Sequence, residues 1–285
     1  MGTNDPGGRA DPIKTGIRTG PVISAPSQDL EETVKRFVRH FSGEIQVIAS
    51  AELGYYQSKY RSLLLCCLID TMSNIIEIAA DGIKTGVDQD IDKKKFLLAV
   101  ERFGNWPDCT RICRPHLEEL LKRATGSDFR PVRDFVATMP PWPDQSESSV
   151  VSVGMIDPHY SDLASVWPKA ANDNQAMLKS VPYEGRKVHL NSLQHHALLY
   201  EYRNKLVHET RATISESEDS LGHTQPYYCR VRDWNGKFWQ LYQPPGFLAR
   251  MAEDVLGGLR QYCLEQRIEP FSRLFPGRYW FERPC

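Results

Sequence analysis

Long apolar segments are missing from this chain of 285 residues. The longest uninterrupted apolar run is Leu63 to Ile69 and it ends at Asp70, far short of the roughly 18 residues that a membrane-spanning helix needs. The start of the chain, Met1 to Pro6, has no apolar stretch behind a basic segment and so lacks the pattern of a secretory signal. We therefore expect a cytoplasmic protein that does not cross a membrane.

An excess of charge of either sign is also missing. The sequence has 35 Lys and Arg against 36 Asp and Glu, which gives a formal net charge of −1. Strong non-specific nucleic-acid binders carry a basic excess, so an RNA substrate would need a local basic cleft. The composition, 41% hydrophobic and 25% charged, is typical of a globular protein.

Several familiar site patterns do not occur. There is no Gly-rich phosphate loop, Gly-x-Ser-x-Gly turn, His-Glu-x-x-His helix or dinucleotide-binding fingerprint, and we expect neither a cofactor nor a metal. The seven cysteines are odd in number and scattered, which predicts reduced thiols. Cys109, Cys113 and His116 have a spacing that soft metal ligands could use, but a structural zinc usually needs four ligands, so buried thiols are the preferred interpretation.

The pattern of apolar residues predicts a mainly α-helical chain. We expect a flexible tail over residues 1–27, because this segment is poor in large apolar side chains. The pattern predicts one helical domain over residues 28–270 and a C-terminal extension over 271–285. The predicted elements are a helix ending near Gly43, a long helical region over 44–80 with a break near Gly54, helices over 93–103, 111–125, 128–137 and 186–211, and a last helix from Phe247. Pro-rich and polar residues predict a mobile loop insertion over about 139–160. Asn235-Gly236 between aromatic runs predicts a β-hairpin over about 226–243.

The most specific segment is the end of the 186–211 helix, where Arg203 is followed by Asn204 and, after four intervening residues, by His208. This resembles the Arg-x4-6-His motif of the HEPN domain family, in which the residue after the arginine is usually polar. The apolar helix upstream, Leu63 to Ala80, is similar to the family's central helix. The resemblance implies a HEPN-like helical bundle with, here, an appended β-hairpin. It also implies a homodimer and metal-independent RNA cleavage, often in toxin or antiviral defence systems with an antitoxin or another defence partner.

The residue types suit that chemistry on their own account. Histidine is the side chain whose unperturbed pKa lies near neutrality, so His208 can move a proton to or from a ribose oxygen. The planar guanidinium of Arg203 matches the oxygens of a phosphate on which charge develops. Asn204, one turn before His208, can orient the imidazole or bind a phosphate oxygen.

Helix geometry sets a limit on this site. Residues five apart point about 140° away from each other, so one helix does not aim Arg203 and His208 at one atom. Two copies related by a two-fold axis would bring both pairs to one cleft. The alternative interpretation is that both residues belong to the solvated end of an amphipathic helix, where basic groups complement the helix dipole.

Other residues remain as candidates. Asp70 interrupts the most apolar stretch and, with Asn74 one turn later, can project into the same cleft; otherwise it is a helix-face carboxylate that is paired with an arginine or exposed to water. His195 and His196 have the character of packing or surface residues. The hairpin aromatics could stack on single-stranded bases or, as we prefer, cover the core with alternate side chains.

The sequence thus predicts a HEPN-type endoribonuclease with Arg203, Asn204 and His208 at its site and Asp70 as an accessory group. The alternative from a different class is a non-catalytic HEPN-like module that binds a partner protein or a nucleotide through the same cleft.

Overall fold

The computed structural model describes residues 28–78, 88–143, 150–170, 178–209, 223–233 and 236–274. This part of the chain is mainly helical, as the sequence predicts. The helices are α1 (Gln28–Ser50), α2 (Gln57–Ser73), α3 (Asp88–Phe103), α4 (Arg114–Arg123), α5 (Arg130–Ala137), α6 (Val153–Ile156), α7 (Tyr160–Val166), α8 (His195–Glu209), α9 (Pro245–Gln266) and α10 (Pro270–Arg273). The strands are β1 (Val150–Ser152), β2 (Val181–Tyr183), β3 (Arg186–Val188), β4 (Tyr227–Asp233) and β5 (Gly236–Tyr242). In the described ranges, no helix combines the length and the apolar character that spanning a bilayer requires. The tail predicted over 1–27 lies outside the described residues.

Helix α9 is the centre of the main helical core, because it packs against α1, α2 and α3. Helix α2, for which the sequence predicts a central place, packs against α1, α3, α8 and α9 and so also lies inside this core. On α2 the buried residues include Leu65, Ile69 and Met72, whereas Leu64 is 42% exposed. The face of α2 that meets the core is therefore the one that carries Leu65, Ile69 and Met72.

Gly258 explains how closely α3 and α9 can approach. A Cβ atom at this position would lie 2.5 Å from the side chain of Phe103 on α3. Real Cβ atoms do not come that close to a carbon atom, so the packing requires glycine here.

The first helix is longer than the sequence predicts. It does not end near Gly43 but continues to Ser50, because Phe41, Ile45 and Ile48 carry its buried stripe beyond the glycine. The predicted break near Gly54 is confirmed: Gly54 has φ +70° and starts a short 3-10 turn that leads into α2.

A second, smaller core lies among α4, α5, α7 and the β2–β3 hairpin, with Leu117, Val132, Leu163, Val181 and Leu190 among its buried members. The predicted helix over 186–211 is corrected here: residues 186–188 form β3, paired with β2, and α8 begins only at His195. Backbone pairing with residues 181–183 therefore overrides the helical pattern in this segment.

A three-stranded antiparallel sheet, in the order β1-β4-β5, lies beside the helices. The β4–β5 hairpin confirms the predicted one. The predicted loop insertion over 139–160 is corrected, because β1 and α6 lie within it and bury Val151, Val153 and Ile156 beside Tyr228 of β4. Residues 150–156 are thus packed against the sheet; residues 144–149 lie outside the described ranges.

Candidate functional site

Arg203 on α8 and Asp70 on α2 form an ion pair where these two helices pack. Nη2 of Arg203 donates to Oδ2 of Asp70, and Nη1 donates to Oδ1 of Asn204 at 2.8 Å. The two charged side chains are only 18% and 19% exposed. The guanidinium is therefore held in place with a small part of its side chain exposed. Pairing with an arginine is the environment that the sequence predicts for Asp70 if it is a helix-face carboxylate.

The charges of this pair act on each other and on their neighbours. Burial raises the pKa of Asp70 above its ordinary value, and the positive charge of Arg203 opposes that rise without cancelling it. Burial also raises the pKa of the Cys67 thiol, one turn before Asp70, and Arg203 again acts in the opposite direction. Arg203 is therefore the source of positive potential along this side of α2.

Tyr200 completes the local support of Arg203. The guanidinium carbon lies 5.8 Å from the centre of the Tyr200 ring, and Asn204 is close enough to the Tyr200 hydroxyl to lower the pKa of that group, against the larger rise that burial causes. Asn204 thus bridges the arginine and the tyrosine. Nε of Arg203 is buried and has no hydrogen-bond partner among the described residues. One N–H donor of the guanidinium thus takes no part in the contacts with Asp70 and Asn204.

His208 lies on a different face of α8. Its side chain is exposed, like those of Glu201 and Lys205, and it makes no hydrogen bond to a described residue. The structure therefore brings Arg203, Asn204 and Asp70 together, and His208 takes no part in their hydrogen bonds. The angle of about 140° between Arg203 and His208 on one helix predicts that separation.

A second polar cluster, which the sequence did not reveal, lies where α4, α8 and β4 meet. Its hub is Asp157, which is fully enclosed. Oδ2 of Asp157 lies 2.6 Å from Nε2 of His195 and accepts a hydrogen bond from the Tyr228 hydroxyl at 2.8 Å. Oδ1 accepts from the backbone N–H of Arg114 at 3.0 Å. The carboxylate thus fixes the first turn of both α4 and α8.

The same cluster reaches the surface through a thiol. The Tyr228 hydroxyl lies 3.2 Å from Sγ of Cys113, which in turn lies 3.0 Å from Nδ1 of His116. Burial raises the pKa of Cys113 to about 12. His116 is an exposed residue, and desolvation of its ring on the side of Cys113 lowers the pKa of the imidazole. Near neutral pH this is a pair of neutral groups, which does not suit a nucleophilic thiolate.

The cluster escaped sequence reasoning because its members come from four separate segments. His195 was treated as an ordinary packing residue, and Asp157 falls in the segment predicted as a loop. The one available signal was the position of His195 on the same helical stripe as the apolar residues of α8.

The other residues considered above are the possible metal ligands, the hairpin aromatics and His196, and most of them have environments typical of packing residues. Among the described residues, no three His, Cys, Asp or Glu side chains are arranged to hold a metal ion. Trp239 of the hairpin stacks on Trp142 with ring centres 4.8 Å apart, while Phe238 is 38% exposed. His196 is buried, and its Nδ1 lies 2.7 Å from the backbone oxygen of Cys109.

Comparison with known proteins adds no relative to this picture: no family model, no curated protein and no solved structure matches the chain.

Proposed function

We propose that the protein is a metal-independent endoribonuclease of the HEPN type that acts in a toxin or anti-phage role. The observation that carries the proposal is the held guanidinium of Arg203, with Asn204 beside it and an exposed histidine, His208, five residues further along the same helix. An anchored arginine is suited to an anionic transition state because it needs little reorganisation when charge develops.

The reaction needs only proton transfers and charge stabilisation. One His208 accepts the proton of a ribose 2′-hydroxyl as the 2′-oxygen attacks phosphorus. The bond from phosphorus to the 5′-oxygen breaks, and that oxygen takes its proton from the same imidazole, which the first step has left protonated. Arg203 stabilises the charge on the non-bridging oxygens. The products are a 2′,3′-cyclic phosphate and a 5′-hydroxyl.

A second copy of the chain supplies the histidine that a single α8 cannot direct toward the phosphate bound by its own Arg203. Because Arg203 and His208 point about 140° apart on one helix, the arginine of one copy and the histidine of its partner act on the same phosphate. Each of the two helices that carry the pair has an exposed apolar side chain: Leu64 on α2 is 42% exposed, and Val207 on α8, one turn after Arg203, is 37% exposed. A homodimer that covers them would enclose the cleft.

The test compares purified wild-type protein with His208→Ala on total and transfer RNA in excess EDTA. We expect cleavage by the wild type alone, with cyclic phosphate ends. His208 is exposed and makes no described hydrogen bond, so the variant should keep its stability to within about 0.5 kcal/mol. Equal cleavage by both proteins, or loss of wild-type cleavage on adding EDTA, would refute the mechanism.

A non-catalytic binding module is the second candidate, and one observation favours it. Asp70 already neutralises Arg203, as it would in a purely structural pair. In that case the wild type would leave RNA intact, whereas Arg203→Ala would abolish binding of a partner such as an antitoxin or another defence protein.

A further inference from the structure

The turn between α1 and α2 presents a cluster of exposed tyrosines that the site described above does not use. Tyr55 is 82% exposed, Tyr56 47% and Tyr60 42%. The rings of Tyr55 and Tyr56 meet edge to face, with centres 4.9 Å apart. We refer to Tyr55, Tyr56 and Tyr60 as the tyrosine platform.

The platform is held by the backbone beneath it. Arg61 donates to the backbone oxygen of Ala51 from Nε at 3.2 Å and from Nη2 at 2.7 Å, which closes the turn across ten residues. Gly54 supplies the left-handed backbone conformation, φ +70°, that the turn needs. The rings therefore project from an anchored turn, so little conformational entropy is lost when a ligand covers them.

The chemistry of the platform suits bases more than aliphatic chains. Every nucleobase has a π-face that can stack on an aromatic side chain, whatever the base sequence. Nζ of Lys59 lies 5.7 Å from the centre of the Tyr56 ring, so a positive charge lies beside the rings; Glu52 is also exposed in this turn. Tyrosine with lysine is thus the combination that binds stacked bases and their phosphates.

The platform is also continuous with the Arg203 site. Tyr60 and Asp70 belong to one helix and are separated by about 15 Å along its axis. The half-buried residues Leu63 and Cys67 lie between them on that side, and Cys67 is close enough to Arg203 for its charge to act on the thiol. A strand whose phosphate contacts Arg203 can therefore extend along α2 to the tyrosines.

We propose that the substrate is single-stranded RNA and that the bases on one side of the cleaved phosphate stack on Tyr55, Tyr56 and Tyr60. The identity of the ligand rests on the proposed function, which it deepens by naming the substrate class. The near-neutral net charge of the whole chain is consistent with this, because stacking replaces part of the affinity that a basic surface would otherwise supply.

The test measures binding in a His208→Ala background, so that cleavage does not consume the probe. The probes are a short fluorescein-labelled single-stranded RNA and the same strand annealed to its complement, followed by fluorescence anisotropy. Alanine at one platform position should weaken binding of the single strand about tenfold, and alanine at all three about a hundredfold or more. Phenylalanine at all three should keep affinity to within about threefold, because the stacking faces remain.

Phe238→Ala is the matched control, since Phe238 is a similarly exposed aromatic residue on the sheet. It should leave binding unchanged. The proposal is overturned if the platform alanine variants bind the single strand like the parent, if single and double strands are bound equally, or if no RNA is bound. It is also overturned if the platform variants convert a dimer to a monomer in light scattering, or if the platform binds phosphatidylcholine–phosphatidylserine vesicles and not RNA.

Failure of the two proposals can be told apart. Tyrosine-dependent binding with no cleavage by the wild type would support the platform and refute the ribonuclease mechanism. Cleavage that depends on His208 but not on the tyrosines would support the ribonuclease mechanism and refute the platform.

Discussion

Arg203 binds two acceptors at once, one on each of two helices, which requires the several N–H donors of a guanidinium. It donates to Asp70 on the neighbouring helix and to Asn204 on its own helix, and it still has a buried Nε without a described partner. A lysine ammonium is a point charge and cannot span the same fork of acceptors. The identity of this residue therefore matters both for the fold and for the proposed chemistry.

Arg203→Lys tests both roles of the residue. We expect cleavage to fall by about a hundredfold or more, and the free energy of unfolding to fall by about 1–3 kcal/mol, since Asp70 or Asn204 loses its donor. Initial cleavage rates and urea unfolding would measure the two effects. Cleavage at the wild-type rate with unchanged stability would mean that any positive charge suffices.

Asp70→Asn tests the electrostatics of the pair. Because the folded state raises the pKa of Asp70 above 3.8, it holds the proton more tightly than the unfolded state does. The contribution of Asp70 to stability is therefore largest below about pH 3.8 and decreases as the pH rises through the raised pKa. Urea unfolding over a pH series should show wild-type stability falling relative to Asp70→Asn across this window. A relative rise with pH would contradict the account.

At the scale of elements, the packing of α3 on α9 depends on the absence of a side chain at one position of α9. A Cβ at Gly258 would overlap Phe103, whereas a Cβ at the adjacent Gly257 would meet nothing within 4 Å. The two glycines lie in one helix and differ mainly in this respect, which makes them a matched pair.

Gly258→Ala should destabilise the protein by about 1–3 kcal/mol, because the added methyl group forces α3 away from α9. Gly257→Ala should be neutral or stabilising by up to about 1 kcal/mol, because alanine is the better helix former. Thermal unfolding of both variants measures the contrast. Equal effects at the two positions would show that α3 does not lie this close to α9.

The elements also show which features a sequence can reveal. The break at Gly54 and the β4–β5 hairpin follow from local patterns. The contact between Asp70 and Arg203 does not, because the two residues are 133 positions apart in the chain. Likewise, β1 and β3 are three residues each and owe their existence to their partner strands, so no period exposes them. The cluster around Asp157 joins residues 113, 157, 195 and 228, and only the tertiary fold brings such positions together.

At the scale of the whole molecule, that buried cluster connects the sheet to the helices. Asp157 contacts α4, α8 and β4 through Arg114, His195 and Tyr228, and α8 is the helix that carries Arg203. In this network Nδ1 of His195 is buried without a hydrogen-bond partner among the described residues. A hydrogen-bonded polar network in a core favours one arrangement of the elements around it. The position of the proposed site therefore depends on groups far from it in sequence.

Tyr228→Phe should lower the free energy of unfolding by about 1–3 kcal/mol, because Asp157 stays buried with one donor fewer. Tyr55→Phe, at an exposed tyrosine, is the control and should change it by less than about 0.5 kcal/mol. Denaturant unfolding measures the free energy of unfolding of both variants. An equally small effect at Tyr228 would mean that its hydrogen bond to Asp157 contributes nothing to stability.

The central claim is a ribonuclease site shared between two copies of the chain, and a mixed dimer tests it most directly. Arg203→Ala and His208→Ala chains with different affinity tags would be produced together and the heterodimer purified on both tags. Each homodimeric variant should be inactive in excess EDTA, whereas the heterodimer should recover about half of wild-type cleavage, because one of its two arginine–histidine pairs across the interface is intact. A heterodimer as inactive as its parents, under conditions in which the wild type cleaves RNA, would contradict the shared site.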